Sequence, residues 1–480
     1  MLLHGRKVIK TTETSITSDN VVSVLNKALI DHMKNRIQIQ YLWDYYRGKQ
    51  PIENRTKDVR PEICNTVVEN RANEIVTFKT GYLMGEPVQY VSRSGKESVS
   101  DEINLLNEYM HLEEKSSKDK ELADWFHICG TSYRITLPNQ GYVEEGDETP
   151  FNTYTLDPRF AFVVYSYDLG QEPMMGVKYV TDGNNVTHYS CYTKDHYYEI
   201  VEGKIRQSQD HIMGEVPIIE YPLNMARLGA FEIVLPMLDA INNVSSNRVD
   251  GVEQFIQALM LFHNVDISSD DFDALREKGA IKYKDIDPQY KAEISYLIST
   301  LNQTETQTLM DHMYDTVLTI TGMPNRNGGT STSDTGTAVI FRDGWSSATA
   351  RANDTELMFK KSERRFLKLV LNICKALKGG GLKLADIEIR FTRRNYENIV
   401  QKAQVLDMML NNGKIDPRLA FEHSGMFVDP GVAYQMSMEY YEAHKEEVKD
   451  DDSYNDTGSG GNDPTDPKEG ITGRSNDRER

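Results

Sequence analysis

Apolar residues recur at helical spacing near the start of the chain. Val24, Leu25, Leu29, Met33, Ile37 and Tyr41 fall at steps of three or four, which predicts an early helix that Gly48 and Pro51 end. A second helix is expected over 64–82, then "MGEPVQYV", where Gly85 and Pro87 force a turn into a short strand. Two further helical stretches follow at 102–109 and 118–129. From residue 132 to about 205 the period changes to that of strands: "SYRITLP", "RFAFVVYS", "MMGVKYV", "VTHYSCYT" and "YYEIVEG" are short, aromatic or β-branched, and separated by turn formers such as "TDGNN". An antiparallel β-rich region is expected there. Its tyrosines read as sheet packing, because no Arg or Lys is interleaved as on a base-stacking platform.

The helical period then returns. Phe231, Val234, Leu235, Leu238, Ile241, Val249, Val252, Phe255, Ile256 and Leu259 lie along one side of a stretch that reads as one amphipathic helix of about 30 residues, about 45 Å long. Asn242, Asn243, Ser245, Ser246 and Asn247 interrupt its middle, and the thin stripe suggests helix packing between neighbouring subunits. Residues 263–303 read as a small mixed insert, with "DDFDALREKG" helical and "AIKYK" and "AEISYLI" as strands. "TETQTLMDHMYDTVLTITG" returns from it as a helix, which puts the insert at the tip of a stalk. Next comes "TGMPNRNGGTSTSDTGTAVIFRDG", composed to keep a backbone mobile, and then a long charged helix to about residue 378, stopped by Gly379, Gly380 and Gly381. Ordering such a tether is entropically unfavourable unless it touches something that moves past it, which suggests a mechanical part. One strand and two or three short helices follow, and residues 448–480 are acidic and rich in Pro, Gly and Ser, so disorder is expected. The fold class expected is α+β, predominantly helical.

With 480 residues the chain has room for two to four folding units. A formal net charge of −19 argues against gripping nucleic acid by phosphate neutralisation, which needs a basic footprint, but leaves open a surface that nucleic acid passes without sticking. Cys64, Cys129, Cys191 and Cys374 form no CxxC pair and read as reduced core thiols rather than a zinc site or disulfide framework. The N-terminus has too short an apolar run for a signal peptide, and no stretch of about 18 apolar residues indicates a membrane span.

Catalytic signatures are missing. There is no GxxxxGK[ST], HExxH or GxSxG, and the three glycines from Gly379 follow a helix instead of opening one, so they do not cradle a phosphate. Asp270, Asp271 and Asp273 form an acidic cluster of the kind that holds magnesium, and they read as an N-cap with an acidic first turn. His127, His211 and His263 lack spaced partners and read as surface or core residues. Ser117 with Lys120 meets an SxxK pattern inside "EEKSSKDKE", which reads as a solvated helix face. No cofactor is expected, and no enzyme.

In this order, the parts resemble the portal proteins of tailed double-stranded DNA bacteriophages, in particular those of long-tailed phages of Gram-positive hosts. "NTVVENRANEIVTFKTGYLMGEPVQY" resembles the family's early helix, "DAINNVSSNRVDGVEQF" its first stem helix, "TGMPN" with the loop and "TGTAVIF" its second stem helix and tunnel loop, and "IEIRFTRRNYEN" with the later "DPG" its crown. Thr335-Gly336 stands where the family often has Ser-Gly, and residues 326–334 carry little bulky apolar side chain.

The resemblance implies a portal-type ring subunit with a wing at 1–228, β-rich at 132–205. A stem helix at 229–262, a clip at 263–303, a second stem helix at 304–322, a tunnel loop at 323–337, a long helix at 338–378 and a crown at 379–447 complete it. It implies a closed ring of about twelve copies with head-to-tail interfaces, at one vertex of the virion capsid and assembled in host cytoplasm. Implied partners are double-stranded DNA passing through, the terminase motor, the major capsid and scaffolding proteins and the head-tail connector, with no membrane. The tunnel residues would be Asn325, Arg326, Asn327, Gly328, Gly329, Thr330, Ser331, Thr332 and Ser333, and Asp270, Asp271, Asp273, Arg276 and Lys278 on the clip would dock motor and connector. About twelve copies carry roughly −230 charges, so strong adhesion of DNA to most of the wall is not expected. Two other readings are a capsid-assembly adaptor without a channel and a metal-dependent nuclease built on Asp270, Asp271 and Asp273.

Overall fold

In the computed structural model the described residues are 4–93, 97–143, 148–256, 259–266, 269, 284–287, 289–291, 293–297, 303–325, 344–379, 381–392, 399–427 and 430–444. They form an α+β fold with ten α-helices. The chain divides into two compact units, residues 1–395 and 396–480.

The first unit is built around two sheets. Strand β1 (Ile9–Thr11) runs parallel to β5 (Ala161–Ser166). Antiparallel neighbours then continue the sheet through β6 (Pro173–Thr181), β7 (Thr187–Tyr192), β8 (His196–Val201) and β9 (Lys204–Asp210). Every residue of β5 is buried, as its unbroken apolar run requires, whereas β9 is an exposed polar edge. The second sheet places β3 (Thr131–Pro138) between β10 (Ile218–Pro222) and β4 (Phe151–Leu156). Tyr133, Tyr165, Tyr179, Tyr192, Tyr198 and Tyr221 are buried in these sheets.

Helix α1 (Val21–Tyr46) forms where expected but is rotated from the predicted stripe. Met33 and Ile37 are exposed, while His32 and Asn35 are buried. Their hydrogen bonds explain the rotation. Asn35 accepts from the Lys7 amide at 2.9 Å and donates to the Lys7 carbonyl at 2.8 Å, and His32 Nε2 lies 3.0 Å from the Tyr179 hydroxyl. Helix α2 (Arg71–Leu83) begins later than expected, because residues 64–70 are not helical and Asn70 at the cap has a left-handed φ of 45°. Helices α3 (Glu97–Leu112) and α4 (Lys115–Cys129) follow.

Helix α5 (Leu235–Ile256), preceded by a 3₁₀ turn at Glu232–Val234, is shorter than the predicted helix. Its polar middle has a partner within the same chain. Asn242, Ser246 and Asp250, four residues apart on one face, are buried and accept hydrogen bonds from the amides of Glu69 at 3.0 Å, Val67 at 2.9 Å and Asn65 at 2.8 Å. The periods match: four helical residues rise about 6.0 Å and two extended residues about 6.6 Å. The side chains of α5 therefore act as a substitute strand edge for 65–69, and this accounts for Asn242 and Ser246, two of the polar positions that thin the stripe.

Beyond α5 the chain enters β11 (Leu259–His263), which pairs antiparallel with β14 (Glu293–Leu297), while β12 (Val265–Asp266) pairs with β13 (Lys284–Asp285). It returns along α6 (Gln303–Thr321), packed against α5. Helix α7 (Trp345–Lys378) is 34 residues long. Strand β15 (Ile387–Arg390), expected with the C-terminal helices, pairs with β2 (Gln89–Ser92) inside the first unit. The second unit holds α8 (Ile399–Leu410), α9 (Pro417–Ser424) and α10 (Pro430–Ala443). The acidic tail lies outside the described residues.

Helix α7 is fixed to the body by a buried ionic cluster. Glu363 is fully buried, 2.8 Å from Lys115 Nζ and 3.4 Å from Arg134, and Asp119 binds both cations. The Tyr90 and Tyr221 hydroxyls donate to Glu363. Burial pushes the Glu363 carboxyl up, but Lys115 and Arg134 outweigh it and hold the group below its usual range. Lys115 and Asp119 belong to the run read as a solvated face; Ser117 and Lys120 of that run are exposed, and these two are not.

Two outcomes follow from these contacts. Glu363→Gln leaves two buried cations with one carboxylate and should lower unfolding stability by about 3–5 kcal/mol, read from denaturant midpoints. Burial raises the Asp250 carboxyl but the Asn65 amide, Lys57 and Arg55 lower it further, to about 2. Its stabilising contribution is therefore complete above the ordinary carboxylate value and lost as pH falls from about 4 to about 2. Cleavage at 55–69 by an acid-active protease should rise across that window, and an unchanged cleavage rate would contradict the ladder.

Candidate functional site

The tether expected after residue 321 leaves and rejoins the described fold at one place. Residues 326–343 lie outside the described residues, but both flanks are well defined. Helix α6 ends in a Schellman motif. Gly322, with φ 69°, donates to the Thr319 carbonyl at 3.2 Å, and the next amide, Met323, donates to Leu318 at 2.9 Å. Met323 and Leu318 are both buried in the same apolar cluster, and Pro324 cannot continue the helix. Asn325 donates from Nδ2 to Asp315 at 3.0 Å, which turns the departing chain back along α6.

The return point lies alongside. Gly344 caps α7 with φ 82°, and a Cβ built on it would stand 3.8 Å from the Met323 carbonyl oxygen and from Pro324 Cα. Ala348 and Ala352, small and buried at successive turns, line the same side of α7, and a Cβ on Gly322 would come within 2.7 Å of Arg351 Cγ. Glycine at 322 is thus required twice, by its φ and by the space α7 leaves.

One helix holds both ends. On α2, Phe78 and Tyr82 pack their rings against Trp345 with centroids 6.1 and 6.0 Å away, and the Tyr82 hydroxyl is 2.8 Å from Thr349 Oγ1. Between them Lys79 donates from Nζ to the Thr321 carbonyl at 2.6 Å. Burial, assisted by Arg351, brings the Lys79 ammonium down to about 8. The buried imidazole of His127, 3.0 Å from Thr80 Oγ1, is pushed far below its usual value by burial and by Lys79, so it is neutral. Beside this base, α2, α5 and α6 enclose a cleft of about 580 Å³, where the Arg71 guanidinium stacks 4.1 Å over the Tyr314 ring.

Of the residues expected to line a tunnel, Asn325 is therefore described, at the edge of the base. Arg326, Asn327, Gly328, Gly329, Thr330, Ser331, Thr332 and Ser333 lie outside the described residues, as do Asp270, Asp271, Asp273, Arg276 and Lys278. Among the described residues no group of three or more His, Cys, Asp or Glu side chains is placed to hold a metal ion. The four cysteines are free thiols, with Cys129 and Cys191 buried. Lys79, Trp345 and Arg351 were not singled out from the sequence, and nothing local linked "TGMPN" to residues 78–82.

The model of the family described as phage portal protein, SPP1 Gp6-like, matches residues 26–453. The chain belongs to this family. It is thus a bacteriophage portal protein by family, a capsid component of the DNA-packaging apparatus. No curated protein matches the chain. No helix among the described residues is long and apolar enough to cross a membrane.

Gly322→Ala should weaken the base of the portal chain's loop in two ways, by left-handed strain of about 1 kcal/mol or more and by contact with Arg351. Limited proteolysis should show earlier cleavage around 322–344 with the β-sheet region unaffected; unchanged cleavage would mean the Schellman turn does not position the segment.

Proposed function

We propose that about twelve copies of this chain close into a head-to-tail ring at one capsid vertex and that double-stranded DNA enters and leaves through its centre. The observation carrying this reading is the base just described. An 18-residue segment of mostly small and polar side chains is sent out and taken back at one point on a framework of α2, α6 and α7. A segment of such composition, presented from a rigid base, suits contact with a polymer that slides. In this reading residues 325–335 guard the narrowest part of the channel, and they meet DNA by backbone and shape, not base sequence.

The paired helices α5 and α6 serve as the stem, and the strands between 259 and 297 as the clip that docks the packaging motor and later the head-tail connector, with Asp270, Asp271, Asp273, Arg276 and Lys278 as the docking residues. The chain itself does no chemistry; nucleotide hydrolysis belongs to the motor. Capsid and scaffolding proteins are its other partners in assembly.

Electron microscopy with mass measurement of the purified full-length protein tests the ring. Closed rings of about a dozen subunits with a central hole are expected, and monomers that persist at high concentration would favour an adaptor without a channel. Deleting 326–334 should leave ring mass unchanged while packaging or retention of DNA fails. Collapse of assembly on that deletion would make the segment a structural part instead.

A further inference from the structure

The lysine at the base of the loop is held in an environment that disfavours its charge. Lys79 has no carboxylate partner among the described residues; its hydrogen bond goes to a main-chain carbonyl, and the charged group acting on it is another cation, Arg351. The facing groups are His127 on α4, which is neutral, and Arg351 and Asp354 on α7, which line the same cleft of about 470 Å³. Asp124, also on α4, is bonded to Thr80, not to the ammonium. A lysine kept only for packing would be better replaced by methionine here.

The carbonyl it meets is a particular one. In the turn ending α6, the carbonyls of Leu318 and Thr319 are taken by the amides of Met323 and Gly322. Thr321, the last helical residue, has its carbonyl left for an outside donor. A cation there also faces the negative end of the α6 dipole. Lys79 supplies both donor and charge, from a helix whose neighbouring positions, Phe78 and Tyr82, hold the start of α7.

We propose that Lys79 is a positioning residue, a charged latch that fixes the departure point of residues 326–343 relative to their return point, at the expense of global stability. The proposal rests on the reading of that segment as the channel loop. Its logic gives opposite signs to two quantities. The fold lowers the proton affinity of Lys79, so the charged form opposes folding at neutral pH. That opposition fades as pH rises from about 8 towards the ordinary lysine range. Over the same span the latch loses its charge-assisted hydrogen bond.

Hydrogen exchange on the full-length protein, with the thermal midpoint measured alongside, tests this. Lys79→Met should speed exchange of the amides of residues 320–323 roughly ten-fold or more, while the midpoint stays equal or rises. In the unaltered protein, raising pH through 8 should do the same after correction for intrinsic exchange. Unchanged exchange at 320–323 would overturn the proposal. So would a lowered midpoint with faster exchange across α2 and α4, which would make Lys79 an ordinary structural residue. Ring mass on the same samples reads the channel proposal separately: open monomers that still show the exchange change would remove the channel and leave the latch.

Discussion

The buried contact between Glu363 and the pair Lys115 and Arg134 decides where the long helix lies, and the placement of Gly344 and Trp345 depends on that helix. Helix α7 spans about 51 Å at 1.5 Å per residue, and its apolar face alone would tolerate sliding by a turn. Glu363 removes that freedom, because any other register would leave a carboxylate and two cations buried apart. Such clusters contribute little net stability compared with apolar replacements, but are strongly unfavourable when half broken, so they select one arrangement among many of similar hydrophobic energy. Ser362 adds a neighbouring constraint by donating to the Glu220 carbonyl at 2.7 Å. With the middle of α7 locked onto β3 and β10, Gly344 and Trp345 are placed by a rigid lever.

Helix α5 is held by a different device. Helix α5 needs an attachment that leaves it straight as it runs towards β11. The segment 65–69 supplies it by hydrogen bonding to Asn242, Ser246 and Asp250 instead of to another strand. Apolar packing confines itself to the first half of α5, where Leu235, Leu238 and Ile241 are buried, while Val249 and Val252 are exposed. Polar side chains thus carry the fastening past the end of the core. Arg55 and Lys57 complete it at Asp250 with distances of 2.9 Å each. The same residues that make α5 look weakly amphipathic make it well attached.

These two devices explain what was legible in the sequence. Element type and order came from period, since strands such as β5 and helices such as α7 repeat their pattern over enough residues to be read. The tether after α6 was visible as composition. Partnership was not. Lys115 and Asp119 sit in a run whose charge density suggests water, and only the fold brings to them Arg134, 15 residues from Asp119, and Glu363, 229 residues beyond Arg134. Met33 and Ile37 look like core and are not, because Asn35 and His32 claim the inward face for hydrogen bonds. Lys79 carries no local mark at all. Local chemistry predicts elements, and long-range pairing of polar groups decides faces and registers.

Charge is distributed accordingly. The buried ionic groups are balanced where they lie: Glu220 against Arg227, Glu232 against Arg6, and Lys115 and Arg134 against Asp119 and Glu363. Among the described residues these buried groups therefore add little to the net charge of −19. In residues 326–343, by contrast, Arg326 and Arg342 offset Asp334 and Asp343. If these residues form the channel contact proposed above, a neutral segment on a negative body would meet a polyanion without holding it, since net attraction to phosphate grows with each cation presented and each counterion released. The rigid base then matters more than the affinity of the segment. A weak contact can act on a moving duplex only if the point from which it is presented does not move with it.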